Sequence, residues 1–450
     1  MNTTLPTMKR NLIMSMAALS LSGLSLSTHA QSNTQQIQQL QQEVQELRQL
    51  LEQYMGQQKL QTQRLQAVQQ ANSTINHQAQ PSPKMSSEKG LSLTKGGAEV
   101  SFYGNIRADA SYQIEGGSLA RLYNQISTVP LRGYNESSDQ LKSTLAGTRL
   151  GADFKTSTQL VDISGKIEVD FFGGAGLDNL RIRHAYLNYK DWLIGQTWSN
   201  FAVPDYMPES IDALGYVGGS VRRIPQVRHT TKFNPASTLV LALEDPKDSS
   251  STMRLPAFTA RVNHKISDTA VMSLRGMVED KRTAADSEIA WGIGAGLKYE
   301  IVPGTTLKAD YYHVKGDGSF VSWANSGIVV NTNKEIVATN EFNSITVGLT
   351  QQFNSQWRGT LGYGYMKADD NQNYINALIA STPAKEESYA MTKGNKDLWQ
   401  AWTNVFYSPT PPLSFGLEYV YGEREALRAA PNGSKIGEDN RVSAVAIYNF

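Results

Sequence analysis

The stretch that decides the fold is EVSFYGNIRADASYQIE, Glu99–Glu115. Its even-numbered positions are all apolar or small: Val100, Phe102, Gly104, Ile106, Ala108, Ala110, Tyr112 and Ile114. The odd-numbered positions are polar, and a strict period of two predicts an extended strand with two different faces. Because strands in globular sheets usually have about 5–6 residues, this one is too long for an ordinary β-sandwich.

Composition sets broad limits on the fold and on the partners. The chain has 450 residues, 40% of them hydrophobic, which is enough for a large core or one large barrel. The absence of cysteine excludes disulfides and thiolate metal sites. A formal net charge of +1 lacks the basic excess of a general nucleic-acid-binding protein, so no nucleic-acid partner is expected.

The first 30 residues have the pattern of a secretory signal peptide. Lys9 and Arg10 precede the apolar run NLIMSMAALSLSGLSLS, and Thr28 and Ala30 are small residues that predict cleavage after Ala30. The alternative is a membrane anchor, but the run is shorter than the roughly 20 residues that a membrane-spanning helix needs.

The next segment, residues 35–70, predicts a helical coiled coil in the periplasm. Its apolar residues step by three and four, and they occupy the a and d positions: Ile37, Leu40, Val44, Leu47, Leu51 and Tyr54. The alternative is a solvated, Gln-rich tract without stable structure. Residues 71–95 are rich in Ser, Pro, Gln and Asn and predict a linker.

From residue 96 to residue 450 the chain repeats one pattern, a period-2 strand of about 10 residues followed by a connection. Short connections, such as those at 190–191 and 302–304, alternate with long polar ones at 116–145, 199–224, 316–340 and 368–395. This alternation is typical of outer-membrane barrels. We therefore predict an all-β transmembrane fold: an antiparallel up-and-down β-barrel of about 16 strands, preceded by the coiled coil.

The last strand supports a location in the bacterial outer membrane. NRVSAVAIYNF alternates apolar residues and ends on Phe450. A final aromatic residue is the signal that barrel-insertion machinery reads, so we expect that machinery and outer-membrane lipid as partners.

Charge placement on the strands indicates a wet interior. Arg107 and Asp109 share the polar face of the first strand, and a charge facing lipid would cost roughly 2–4 kcal/mol at mid-membrane. In a soluble barrel these charges would instead lie in a protein core, where each needs a partner. A barrel of about 16 strands is wide enough for an aqueous channel.

Two further stretches carry a resemblance to a known family. LRIRHAYLNYKDWLIGQTWSNF (Leu180–Phe201) and IPQVRHTTKF (Ile224–Phe233) resemble strands of the DcaP-like family of Gram-negative porins. The resemblance extends over essentially the whole mature chain. It implies homotrimers of 16-stranded barrels with periplasmic N-terminal coiled coils, and diffusion of small anionic solutes such as dicarboxylates.

Register and residue type together select candidate pore residues, among which arginine is frequent because its planar guanidinium suits carboxylates. They are Arg107, Asp109, Arg149, Arg181, Arg183, Arg222, Arg223, Arg228, Glu244, Arg261, Arg275 and Arg358. The loop 199–224 is the candidate constriction and carries three acids, Asp205, Glu209 and Asp212. Two alternatives stay open: neighbouring charges neutralise each other, or the loop acids and wall arginines form a transverse field without strong charge selection.

Other functions remain as rivals to a diffusion porin. An outer-membrane barrel lipase or protease needs a nucleophile, a histidine and an acid close together, yet His184 and His313 fall in the lipid register with no serine clearly placed beside them. A trimeric adhesin has a coiled coil outside the cell, and each of its chains contributes only a few strands. A general porin without selectivity fits the same pattern. We expect no catalytic residues, no metal site and no cofactor.

Overall fold

The structure, a computed structural model, describes residues 91–95, 97–117, 125–134, 136–157, 162–173, 179–220, 222–252, 254–381 and 394–450. The predicted signal peptide, the coiled coil and the linker up to residue 90 lie outside the described residues. The last residues of the predicted linker, Ser92–Lys95, form a short strand.

Strands make up nearly all of the described structure. Their bounds are β1 Ser92–Lys95, β2 Ala98–Glu115, β3 Gln140–Thr144, β4 Arg149–Ser157, β5 Asp162–Gly173, β6 Asn179–Tyr189, β7 Trp192–Trp198, β8 Arg223–Asn234, β9 Ser237–Glu244, β10 Ala257–Lys265, β11 Ala270–Arg282, β12 Ser287–Val302, β13 Thr305–Lys315, β14 Ile328–Val330, β15 Ile336–Thr339, β16 Glu341–Gln352, β17 Trp357–Ala368, β18 Asn395–Thr410, β19 Leu413–Ala426 and β20 Ile436–Asn449. One helix, α1, spans Gln372–Ala380, and a 3₁₀ turn spans Ile126–Thr128. Within the described residues, no helix combines the length and the apolar composition required to cross a membrane.

The strands form a closed antiparallel barrel. Sixteen of them, β2, β4–β13 and β16–β20, pair in chain order, and β20 pairs back with β2. Two strands pair with the same edge of β2. The strand β4 pairs with its first half, and the short strand β3 pairs with its second half. The hairpin β14–β15 stands apart. The predicted barrel of about 16 strands is therefore confirmed.

The two faces of β2 differ as its sequence alternation predicts. Ile106 is 56% exposed on the outer side, whereas Asp109 is 2% exposed on the inner side. The same arrangement recurs around the barrel. The outer wall presents large apolar side chains, among them Leu150, Ile167, Leu187, Leu241, Leu274, Ile293, Leu361 and Leu417. The outer wall is thus suited to lipid and the inner wall to polar groups.

The two rims of the barrel differ in their connections. Short turns such as 190–191, 235–236 and 303–304 lie at one rim, and long loops lie at the other. The long connections are more structured than the sequence alone suggests: the predicted loop 316–340 contains the hairpin β14–β15, and the predicted loop 368–395 contains α1. Because the barrel has an even number of strands, β2 begins and β20 ends at the short-turn rim.

A hydrophobic core lies inside the barrel towards the long-loop rim. Phe201, Tyr312, Phe320 and Phe342 are each at most 1% exposed and belong to one cluster. Phe320 comes from the loop between β13 and β16, and Phe201 comes from the loop between β7 and β8. Apolar side chains that point inward near this rim are therefore covered by inward-folded loops, which narrow the interior.

The barrel closes at a seam where the C-terminal residue meets β2. Gly104 and Phe450 exchange two backbone hydrogen bonds of 3.0 and 3.1 Å. A Cβ atom at Gly104 would lie 2.7 Å from the ring of Phe450, so this ring rests directly on the glycine. The absence of a side chain at Gly104 thus allows the terminal aromatic ring to cover the seam.

This packing makes Gly104 sensitive to substitution. We expect Gly104→Val to displace the Phe450 ring and to lower the free energy of unfolding by about 1–3 kcal/mol, because overpacking forces neighbouring atoms apart. The measurement is the temperature at which the barrel loses its folded mobility on a denaturing gel. The control is Ala295→Val, on the outer face of β12, and equal melting of the two variants would contradict the role of the seam.

Candidate pore constriction

The loop between β7 and β8, residues 199–222 without the undescribed Val221, folds into the barrel; we call it the constriction loop. Connecting loops usually run over the surface, but Phe201, Tyr206, Ile211 and Tyr216 are each at most 2% exposed. Their burial means that the loop is packed against the inner wall. It is therefore the segment that narrows the interior at this level.

Glycines on the inner wall provide the space that the constriction loop occupies. A Cβ atom at Gly348 on β16 would lie 2.5 Å from Pro208. A Cβ atom at Gly296 would collide with the ring of Tyr206. Any larger residue at these positions would push the loop towards the centre of the channel.

The start of the constriction loop is held by Glu244, at the end of β9. Its carboxylate accepts hydrogen bonds from the Ser199 hydroxyl at 2.6 Å, the Asn200 backbone N–H at 2.5 Å and the Thr259 hydroxyl at 3.3 Å. Glu244 is 0% exposed, so it contacts the loop rather than water. The structure thus places this predicted pore residue behind the loop.

Arg275 on β11 has a similar position. Its side chain is fully buried and forms an ion pair with Asp310 on β13. Its guanidinium also donates to the Tyr312 hydroxyl at 2.8 Å and to the Phe201 carbonyl at 3.2 Å. Arg275, which the sequence places at the pore, therefore anchors the beginning of the loop to the wall.

The three acids of the constriction loop each meet an arginine of the wall. Asp205 contacts Arg261 at 3.2 Å, and Glu209 contacts Arg358 at 2.9 Å. Asp212 contacts Arg441 at 2.5 Å. These arginines belong to β10, β17 and β20, so the acids fasten the loop along about half of the barrel circumference while their charge is offset.

Arg441 is missing from the predicted set of constriction residues. Alternation alone places it on the lumen side of β20, but nothing in the local sequence connects it with Asp212, 229 positions earlier. The pairing depends on the path of the loop. Only the folded barrel brings these two buried side chains together.

The end of the loop is fixed by Tyr216 and Gly218. The Tyr216 hydroxyl donates to Glu418, and the backbone N–H of Val217 donates to Gln400 at 3.1 Å. Burial raises the pKa of Tyr216 well above its ordinary value, so the phenol stays protonated and remains a donor. Gly218 has a φ of +98°, and a Cβ atom there would collide with the carbonyl of Ile345.

Loops at the same rim are fastened by Lys281 on β11. Its ammonium group lies 2.7 Å from Asp248 and 2.5 Å from Asp317, which belong to two different long loops, and 2.9 Å from Glu279. Burial by itself would raise the pKa of Asp248, but Lys281 and the hydrogen bonds from Ser250 hold it below its ordinary value. The loops around the mouth are therefore tied to the barrel wall.

The inner faces of β2, β5 and β6 carry a ladder of charges. Arg107 contacts Asp109 at 2.7 Å, Arg181 contacts Asp170 at 2.6 Å, and Arg183 contacts both Glu168 and Asp170. Among the described residues, the polar contacts that loop positions 203–218 make with the barrel wall go to β10–β20 and to Arg107 on β2. The inner faces of β4–β9 receive no such contact, and we call them the open wall.

Several cations on this open wall have side chains without a hydrogen-bond or ion-pair partner among the described residues. Two of them are predicted pore residues: the guanidinium groups of Arg149 on β4 and Arg228 on β8 make no hydrogen bond or ion pair with any described residue. Arg222, the last residue of the constriction loop, is exposed, and Arg223, the first residue of β8, lies over the ring of Trp198 at 4.6 Å. The predicted arginines are thus divided between paired groups that hold structure and unpaired groups on the open wall.

His184 differs from its sequence-based placement on the lipid face. It is 7% exposed, and its Nδ1 lies 3.0 Å from the Thr197 hydroxyl, whose side chain is also buried. A β-bulge opposite Glu168 places Arg183 and His184 at successive inward positions, so simple alternation fails here. His313 keeps its outward position, 3.4 Å from Glu341.

Comparisons with known proteins agree on one family. The sequence profile of the DcaP outer membrane protein family matches residues 29–450. The outer membrane channel DcaP of Acinetobacter baumannii is 35% identical over 79% of this chain and 99% of its own, with a TM-score of 0.69. Comparison with the curated proteins returned no match.

More distant structures share only the fold. OmpT of Vibrio cholerae is 13% identical over 80% of this chain and 99% of its own, with a TM-score of 0.52. OmpF of Salmonella typhi is 15% identical over 80% of this chain and 100% of its own, with a TM-score of 0.51.

The pair Glu209–Arg358 allows a test of whether the loop charges act on permeating ions. We expect Glu209→Gln to raise the chloride-to-potassium permeability ratio roughly twofold, because it leaves Arg358 unpaired, and Arg358→Gln to lower it by a similar factor. The double variant should return close to the original ratio. Reversal potentials in planar bilayers give these ratios, and single variants with unchanged ratios would place the pair away from the ion path.

Proposed function

Because this chain belongs to the DcaP outer membrane protein family and is an outer-membrane porin, we propose that its channel passes small anions, such as dicarboxylates, in preference to cations. The family and its solved member are channels rather than enzymes, which agrees with the sequence-based expectation that the chain has no enzymatic activity. The anion preference rests on the charges of the inner wall.

The observation that carries this proposal is the pair of free arginines, Arg149 and Arg228. All three acids of the constriction loop are in contact with wall arginines. The charge left over along the passage is therefore positive, and it lowers the entry barrier for anions. The alternative of a transverse field between loop acids and wall arginines has less support, because each acid is in direct contact with its arginine and does not face it across open space.

We place the porin in the outer membrane as a homotrimer, with the N-terminal segment in the periplasm after cleavage behind Ala30. The predicted coiled coil supports self-association. A second support is a flat patch of small residues on the outer wall, where Ala108 pairs with Ala446 and Ala110 with Ala444. Small side chains let two walls approach closely. Phe450 is the residue that we expect the insertion machinery to recognise.

Ion selectivity tests the proposal directly. Under a KCl gradient across a planar bilayer, we expect a reversal potential of the sign that indicates chloride preference. Arg149→Gln and Arg228→Gln should each reduce the chloride-to-potassium permeability ratio roughly twofold, because each removes one free charge from the passage.

The matched control is Arg254→Gln. Arg254 is exposed on a loop and pairs with Asp280 at 3.0 Å, so the substitution makes the same charge change away from the passage. Its permeability ratio should stay unchanged. A cation-preferring potential of the unmodified protein would overturn the anion proposal.

A further inference from the structure

A cavity of about 400 Å³ opens at the short-turn rim, away from the long loops. Strands β6–β10 and the turn 190–191 surround it. Its uncharged lining includes Asn188, Leu193, Thr230, Thr238, Val240 and Asn263. We call this cavity the vestibule pocket.

The strand register places three cations around uncharged residues of the pocket wall. Thr230, Val240 and Arg261 lie side by side on β8, β9 and β10. Arg228 is two residues from Thr230 towards the constriction, and Lys232 is two residues away towards the rim. Four residues along a strand span about 13 Å, so the Cα atoms of Arg228 and Lys232 are about that far apart. Both side chains are long and flexible, and a small dicarboxylate placed between them bridges the two charged groups.

Other charges in the lining are few. Lys190, in the turn, adds a fourth cation and lies over the ring of Tyr189 at 5.6 Å. Asp191 is the one acid in the lining. The local balance is therefore strongly positive.

These cations have free hydrogen-bonding capacity. Among the described residues, the side chains of Arg228 and Lys232 have no hydrogen-bond or ion-pair partner. Arg261 donates from one terminal nitrogen to Asp205 at 3.2 Å, while its buried Nε has no partner. The side chain of Asp205 is 57% exposed, and its carboxylate contacts Arg261 from the constriction side of the pocket.

We propose that the vestibule pocket is a binding site that holds one small dicarboxylate between the constriction and the short-turn rim. One carboxylate contacts Arg228 and Arg261, and the other contacts Lys232. This inference rests on the proposed anion preference. It goes beyond that preference because it assigns a binding position for the dicarboxylate between the constriction and the short-turn rim. The open, water-filled setting keeps the interaction weak enough for release.

Succinate residence times test the pocket. The full-length mature protein is inserted into planar bilayers, and the residence time is taken from the current fluctuations that added succinate produces. We expect Arg228→Gln and Lys232→Gln each to shorten the residence time about fivefold, because each removes one charge-assisted contact.

The matched control is Lys155→Gln. Lys155 is an exposed cation near the short-turn rim of β4, outside the lining of the pocket. It should alter the general field of the interior without shortening the succinate residence time. Equal shortening in Lys155→Gln and Lys232→Gln would overturn the pocket, because the effect would then be one of general charge.

The two proposals fail in different ways. Chloride preference with succinate residence times unchanged in both pocket variants would overturn the pocket and leave the proposed function standing. A cation-preferring reversal potential of the unmodified protein would overturn the proposed function itself. Crystals soaked in bromosuccinate add a direct readout: we expect anomalous bromine density in the pocket of the unmodified protein and none in Arg228→Gln, and density elsewhere would overturn the site.

Discussion

The structure depends on one constraint, that every backbone N–H and C=O group in the hydrocarbon region of a membrane needs a partner within the protein. A sheet meets this demand only when it has no free edge, and here β20 pairs with β2 to remove both edges. Closure of the barrel then determines which face of each barrel strand meets the lipid and which meets the interior. The apolar face of every strand is turned outward, and the polar face encloses the interior, where Asp109 is nearly inaccessible while Ile106 faces outward.

A closed wall lined with polar groups can hold an internal loop by charge. The constriction loop is attached by Asp205, Glu209 and Asp212 to three arginines of the wall, and Glu244 holds its first residues. Most charged side chains of the interior are neutralised in ion pairs, so the unpaired arginines contribute most of the remaining charge. The ion pairs that fix the loop therefore also determine which charges of the inner wall remain unpaired. These unpaired charges set the electrostatic potential along the passage.

Much of this architecture follows from local pattern. Period-2 alternation identifies the long strands and their faces, because neighbouring side chains of a strand must point to opposite sides. It cannot detect an irregularity such as the bulge at Arg183 and His184, which depends on pairing with β5. Alternation also cannot distinguish a lumen-facing residue in water from one under the loop, which is the position of Glu244 and Arg275.

The sequence by itself thus determined the membrane barrel, its approximate strand number and its inner and outer faces. These features depend on interactions between residues close in the chain, or on the hydrophobicity of one face. Only the tertiary structure decided which arginine neutralises which acid, as for Asp212 and Arg441, and which cations remain free. The reason is physical: such pairings depend on the path of the loop across the closed barrel, which brings together side chains far apart in sequence.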